Sequence, residues 1–201
     1  MKWCYPSLIW EIKTKKKEVF LTFDDGPDPD VTPWVLDQLK AYKAKATFFC
    51  VGNNVEKFPA LYDRIIKEGH SVGNHTYSHV NGWETDYEKY IVNVKKCSHV
   101  FGSHFFRPPH GRINRKQIKK LKSTYKIVMW SLLSGDFDPA ISPNECSYNT
   151  VQYSQPGSII VFHDSRKSSK TLFKALPKIL NHFSNTQWEL NAIQPHHIAD
   201  S

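Results

Sequence analysis

The sequence predicts an α/β protein whose strands run parallel with helices outside them, on three observations. Apolar, β-rich segments alternate with segments of helical spacing along nearly the whole chain, and such alternation favours parallel strands joined by helical crossovers. Two of the apolar segments, 46–51 and 158–162, are unbroken, as strands buried on both faces read. The residues able to do chemistry fall where strands end: Asp24, Asp25, His75, His79, Arg107, Asp136, His163 and Asp164 each close or follow one. In parallel α/β architectures that edge is where sites are built, and scattered polar core residues would have no reason to choose it. About seven strands are expected. They fit an open doubly wound sheet or a closed barrel, and suggest an incomplete or distorted relative of the eight-stranded barrel.

Taken in order, residues 1–17 read as a short lead-in ending in Lys13, Lys15, Lys16 and Lys17, and 18–201 as one domain. The first strand, near 18–23, stops at Asp24 and Asp25, and Gly26-Pro27 turns the chain. Thr32 is expected to cap a helix with Pro33 at its first position. Val35, Leu36 and Leu39 share its inner face to about Tyr42. The strand 46–51 is stopped by Gly52-Asn53-Asn54. A helix at 59–68 turns Leu61, Ile65 and Ile66 inward, and Gly69 closes it. A short strand at 71–73 runs into a His-rich loop. A long helix follows from Tyr87 to Phe101, then a strand at 105–107 ending in Pro108-Pro109. Helical spacing spans 113–121, a strand 126–130, and a helix 143–154. The strand 158–162 precedes a helix near 170–183, and 187–190 is the last strand.

At 201 residues, 40% hydrophobic and 23% charged, the chain has the balance of one soluble globular domain with a full core. The net charge of +8 gathers in the lysines before residue 18 and in Arg112, Arg115, Lys116, Lys119, Lys120 and Lys122. No nucleic-acid fold motif accompanies it, so no nucleic-acid partner is expected. Cys4, Cys50, Cys97 and Cys146 form no Cys-x-x-Cys pair, and Cys50 reads as core. Lys2 is followed by no apolar segment before Glu11, so no signal peptide is expected. No apolar stretch approaches the roughly 18 residues of a membrane span. As written, the expected location is the cytoplasm, with envelope association as the alternative.

Adjacent aspartates point in different directions, so one can ligate a metal while the other takes a proton. His75 and His79 have His-x-x-x-His spacing, and with one strand-end aspartate they make a two-nitrogen, one-oxygen set with open positions. That set suits catalytic zinc and also non-haem iron. His163 follows Val161-Phe162 directly and is well placed as a proton donor, because an imidazole titrates near neutral pH. Arg107 is locked by two prolines. Asp136 is a natural partner for either Arg107 or His163.

Five stretches in order resemble the motifs of the NodB-type polysaccharide deacetylases: Thr22 through Pro27, His75 through His79, Arg107 through Gly111, Trp130 through Phe137, and Val161 through His163. The resemblance implies a distorted seven-stranded (β/α) barrel and metal-dependent removal of acetyl from an N-acetylated sugar or polysaccharide, of peptidoglycan or chitin type. It implies that Asp25, His75 and His79 bind a divalent metal, commonly zinc, with cobalt, nickel, manganese and iron as alternatives. It makes Asp24 the catalytic base and His163 the catalytic acid. Arg107 would then orient Asp24, Asp136 tune His163, and the backbone N–H at position 110 help to hold the oxyanion. His110 stands where the family has Tyr, Leu133 where an acidic residue is frequent, Phe137 where Trp is usual and Val161 where Leu is usual. Phe137 and Val161 would still wall the acetyl methyl. The competing readings are a small-molecule amide hydrolase on the same scaffold and a carbohydrate-binding relative without catalysis.

Overall fold

The run Glu18–Asp24 is buried at every position and forms β1, the central strand. In this computed structural model residues 5–198 are described; Lys2, Cys4 and the last three residues lie outside that range. The other strands are β2 (Thr47–Cys50), β3 (Ser71–Asn74), β4 (Phe105–Phe106), β5 (Lys126–Ile127), β6 (Leu132–Leu133), β7 (Ile159–His163) and β8 (Glu189–Leu190). The helices are α1 (Thr32–Ala41), α2 (Gly52–Lys57), α3 (Pro59–Lys67), α4 (Tyr87–Val100), α5 (Arg115–Leu121), α6 (Pro143–Tyr153) and α7 (Arg166–Asn185). Seven strands follow one path, β5-β4-β3-β2-β1-β7-β6, with β8 beside the start of β1. Every pair along it is parallel. The path curls without closing, so the expected distorted seven-stranded barrel is present as an open one, with β5 and β6 as its ends.

Alternation along β1 divides the core. Val19, Leu21 and Phe23 face outward into a cluster with α1 and α7 that includes Leu36, Leu172 and Leu176. Phe20 faces the interior with Phe49, Phe105, Val128 and Ile159. A third cluster joins α4 and α5 to Leu8 and Trp10 of the N-terminal segment. That segment touches the sheet on both sides of the opening: Ile9 bridges Val128 beyond β5, and Glu11 bridges Ser158 before β7. None of the helices among the described residues is long and apolar enough to cross a membrane. Cys50, Cys97 and Cys146 are buried free thiols.

Several local expectations change. Thr32 does not cap α1: its hydroxyl donates to Asp164 Oδ2 at 2.5 Å, and Val31 is the cap position, without a side-chain bond. Gly52-Asn53-Asn54 stops the strand as expected and also opens α2, with the Gly52 and Asn53 N–H groups bonded to the carbonyls of Thr76 and Tyr77. Ile66 is exposed, and only Ile65 of its trio is fully buried. The strand expected at 126–130 is shortened to β5, and an unforeseen strand, β6, follows it because Leu132 and Leu133 pair with Ile160 and Val161.

Candidate active site

Register brings the chemistry together. Asp24 is paired with His163 across β1 and β7. Asn74 is paired with Phe106 across β3 and β4, so the residues that follow, His75 and Arg107, leave the sheet at one level. Asp24, Asp25, His75, His79, His110, Phe137, Val161 and His163 all line one cleft of about 380 Å³ at the strand ends, with Trp130, Leu133 and Lys167. Arg107 and Asp136 lie behind it, buried. A larger hollow of about 960 Å³ opens between residues 6–13 and Lys122–Ile127. None of the predicted site residues lines it, so the chemistry, not the size, marks the site.

Arg107 is completely buried. Its guanidinium lies 4.0 Å from the Phe49 ring centre. It donates to Asp24 Oδ1 and Thr22 Oγ1, each at 2.7 Å, and to the carbonyls of Val128 and Met129 at 3.2 and 2.8 Å. A rigid fork with several donors suits such a buried site, where an unsatisfied N–H would be costly. One oxygen of Asp24 is therefore fixed. The other, Oδ2, stands 3.9 Å from His75 Nε2.

His75 presents its Nδ1 to the Arg107 carbonyl at 2.8 Å, which makes Nδ1 the donor and leaves the Nε2 lone pair toward the cleft. Burial drives its pKa down to about 4, against the opposing pull of Asp24 and Asp25, so the ring is neutral at pH 7. The 3.9 Å approach to Asp24 is thus not an ion pair. Asp25 Oδ1 lies 3.0 Å from His79 Nε2 and 3.8 Å from His75 Nε2. Burial alone would raise the Asp25 pKa, but the His79 contact and the nearby imidazoles hold it well below the usual carboxylate range. Donor atoms of Asp25, His75 and His79 all lie within 4.8 Å of one another. One carboxylate and two imidazoles, one of them already oriented by a carbonyl, make a donor set that fits a zinc-type cation.

The Asp136 carboxylate accepts twice from His163: from its backbone N–H at 2.7 Å and from Nδ1 at 2.9 Å. Of its two candidate partners, then, Asp136 takes His163. Burial would lower the imidazole pKa, but the Asp136 bond and charge, with Asp24 and Asp25 behind them, raise it to about 9. His163 is therefore a cation at pH 7, its Nδ1 tied and its Nε2 left. The Phe137 ring stands edge-on to it, 5.1 Å between centres.

Four non-glycine residues here have left-handed backbone: Asp25 (φ 80), Thr76 (φ 65), His79 (φ 56) and His110 (φ 58). For β-branched Thr76 that is a genuine outlier. The residues that hold these turns were not singled out from sequence as supports. Asn54 donates to the Asp25 carbonyl at 2.8 Å. Buried Asp164 accepts from the Gly26 N–H at 3.2 Å and donates its own N–H to the Asp24 carbonyl at 3.1 Å. Burial pushes the Asp164 pKa well up. Asp164 was visible as a strand-end acid beside His163; Asn54 offered no signal at all. His110 sits with its ring 4.7 Å from that of His79.

The family model for polysaccharide deacetylases matches residues 11–126. A Bacillus cereus protein named peptidoglycan-N-acetylglucosamine deacetylase is 39% identical over 176 residues, 82% of this chain and 64% of that protein. The chain thus spans a little under two thirds of that relative's length. A chitooligosaccharide deacetylase of Azorhizobium caulinodans is 33% identical over 76% of each chain. The crystal structure of a peptidoglycan N-acetylglucosamine deacetylase, in complex with 4-naphthalen-1-yl-N-oxidanyl-benzamide, superposes with a TM-score of 0.89. That structure is 34% identical, over 96% of this chain and 94% of that one.

Proposed function

This chain belongs to the polysaccharide deacetylase family, and on that footing we propose that it hydrolyses the N-acetyl group of an N-acetylglucosamine-type sugar or polysaccharide. Fold and family do not by themselves imply activity. The observation that carries the reading is the pairing of Asp24 with His163 beside a three-donor cluster, each backed by its own buried partner, Arg107 and Asp136.

Asp25, His75 and His79 would hold a divalent cation, zinc in our reading, which supplies Lewis acidity toward the acetyl carbonyl and a water molecule. Asp24 is the general base. Its Oδ1 is committed to Arg107, so Oδ2 takes the proton of the attacking water. Arg107 keeps that carboxylate aimed. His163 is the general acid: held protonated by Asp136, it delivers the proton that lets the amine depart, since an amide nitrogen leaves poorly as an anion. The backbone N–H at position 110 would help to hold the developing oxyanion, a contribution worth about 2.7–4 kcal/mol per donor in hydrolases that use one. Phe137 and Val161, with Leu133, give the acetyl methyl an apolar wall in the cleft.

The test is acetate release from N-acetylglucosamine oligomers and peptidoglycan fragments after metal removal and reconstitution with zinc or cobalt. Release is expected, with Asp24→Asn abolishing it while sugar binding persists. Absence of release from every acetylated sugar offered would overturn the reading.

A further inference from the structure

The chain leaves the cleft at His79 and at Gly111 and brings together, just outside it, a fixed and exposed aromatic ring. Trp83 is four residues beyond His79, within a span of roughly 14 Å even if fully extended. Its side chain is 58% exposed, yet it is not loose. The indole N–H donates to the Ile113 carbonyl at 3.2 Å. The Arg112 guanidinium lies over the ring, 5.4 Å from its centre, and Arg112 itself is paired with Glu84 at 3.1 Å. The loop beneath is pinned as well. Buried Gln117 donates to the Gly82 carbonyl at 2.8 Å. Gly82 packs so closely that a Cβ there would stand 2.3 Å from the Arg112 carbonyl. The Trp83 N–H donates to Asn81 Oδ1 at 3.0 Å.

Singly exposed apolar residues are normal and carry no meaning by themselves. Trp83 differs in three respects. It is held by bonds on both its backbone and its ring. Its neighbour Arg112 directly follows His110 and Gly111, which line the cleft, so the ring packs against chain that runs straight out of the cleft wall. The guanidinium over it, and the Glu84 carboxylate paired with that guanidinium, are groups that donate to and accept from hydroxyls. A flat apolar face bordered by such groups matches a pyranose ring, which has an apolar C–H face and hydroxyls around its edge. An aromatic already immobilised loses little entropy on binding.

Resting on the deacetylase reading above, we propose that Trp83, with Arg112 and Glu84, is a binding subsite for a neighbouring sugar of the substrate chain. The subsite engages glycans long enough to reach from the cleft across His110, and favours them over short ones. It contributes binding and takes no part in the acetyl chemistry.

The probes are N-acetylglucosamine oligomers from dimer to hexamer. Binding is followed by calorimetry on metal-free protein, and acetate release on zinc-loaded protein. Trp83→Ala should weaken hexamer binding about tenfold, the scale of a truncated aromatic anchor. The same change should raise the hexamer KM with little effect on kcat, shrinking the advantage of hexamer over dimer. Trp83→Tyr, which keeps a ring for the sugar face, should restore most of it and separates lost stacking from a misfolded loop. Unchanged hexamer affinity in Trp83→Ala, or wild-type affinity that does not grow with chain length, overturns the subsite. Hexamer binding that depends on Trp83 in a protein releasing no acetate would sink the hydrolysis and leave the subsite standing.

Discussion

Replacing Asp136 by Asn tests the acid arm of the site. The change keeps shape and removes one charge. In the native protein the His163 pKa stands at about 9 instead of the ordinary 6.5, a difference worth roughly 3 kcal/mol. Burial opposes that shift, and the Asp136 hydrogen bond and charge, together with the charges of Asp24 and Asp25, outweigh it. A cation held by Asp25 would cancel much of that residue's share and leave Asp136 as the main support. Without it the imidazole pKa falls back toward the ordinary 6.5. At pH 8 a group with pKa 9 is about 90% protonated, whereas one at 6.5 is about 3% protonated, so loss of the acid form alone costs roughly 30-fold. At pH 5.5 both are mostly protonated and the loss on this account shrinks to near nothing. The assay is kcat/KM for acetate release from pH 5 to 10, in which the alkaline limb of Asp136→Asn should move down by two units or more. Stability must follow. Because the folded pKa is raised, the His163–Asp136 pair stabilises fully below about pH 6.5 and loses that share as pH rises through about 9. The variant should therefore be less stable than wild type by about 3 kcal/mol at pH 6, and by distinctly less at pH 10. An unmoved alkaline limb, or a stability gap equal at both pH values, would refute the assignment of His163 as an acid held by Asp136.

Arg107→Met leaves Asp24 buried without its countercharge and should cost about 3–5 kcal/mol in a denaturant titration, with acetate release lost; a cost under 1 kcal/mol would show that Asp24 does not depend on it. Gly26→Ala places a Cβ 2.1 Å from Asp164 Oδ2, so the carboxylate must move and the turn carrying Asp25 with it. Zinc affinity by competition titration should fall about 10–100-fold, the usual scale for groups that orient metal ligands, and a change within twofold would dismiss Asp164 as a support. Chelation should abolish acetate release and added zinc or cobalt restore it, whereas Asp25→Ala should not recover at the same metal concentration; full activity in strong chelator would remove the cation from the reading.

What could be read from sequence divides along a physical line. The apolar runs of β1 and β7 and the polar residues that end them were legible, because a buried parallel strand leaves no freedom in its side-chain pattern. Where an element is set by partners far along the chain, the pattern is silent. β6 is two residues long and exists because Leu132 and Leu133 meet Ile160 and Val161. Thr32 looks like a helix cap and is instead recruited by Asp164, 132 residues away. The choice of Asp136 between Arg107 and His163 was open in sequence for the same reason: both are cationic, and only the fold decides the distance. The chain before residue 18 also gave little sign that Leu8, Trp10 and Ile12 would be core.

The left-handed residues explain why the site needs so many polar supports. Backbone in that region costs on the order of 1–3 kcal/mol at a non-glycine residue and persists only where neighbours over-determine it. Asp25 is flanked by such neighbours: Asn54 holds its carbonyl, and Asp164 holds the residues on either side. Thr76 is likewise enclosed, its N–H bonded to Asn74 Oδ1 at 2.8 Å and its hydroxyl accepting from the Val80 N–H at 3.2 Å. Asn74 is anchored in turn to the Val94 carbonyl of α4 at 3.0 Å, and Asn93 of the same helix accepts from the Tyr77 and Ser78 N–H groups. Two consecutive residues leaving a strand in ordinary extended backbone would send their side chains to opposite faces. The reversal at Asp25 lets Asp24 face the interior toward Arg107 while Asp25 turns toward His79. A base and a ligand can thus be adjacent in sequence and still meet the same cleft from different sides, and the clamps from α2 and the β7–α7 turn stabilise that reversal.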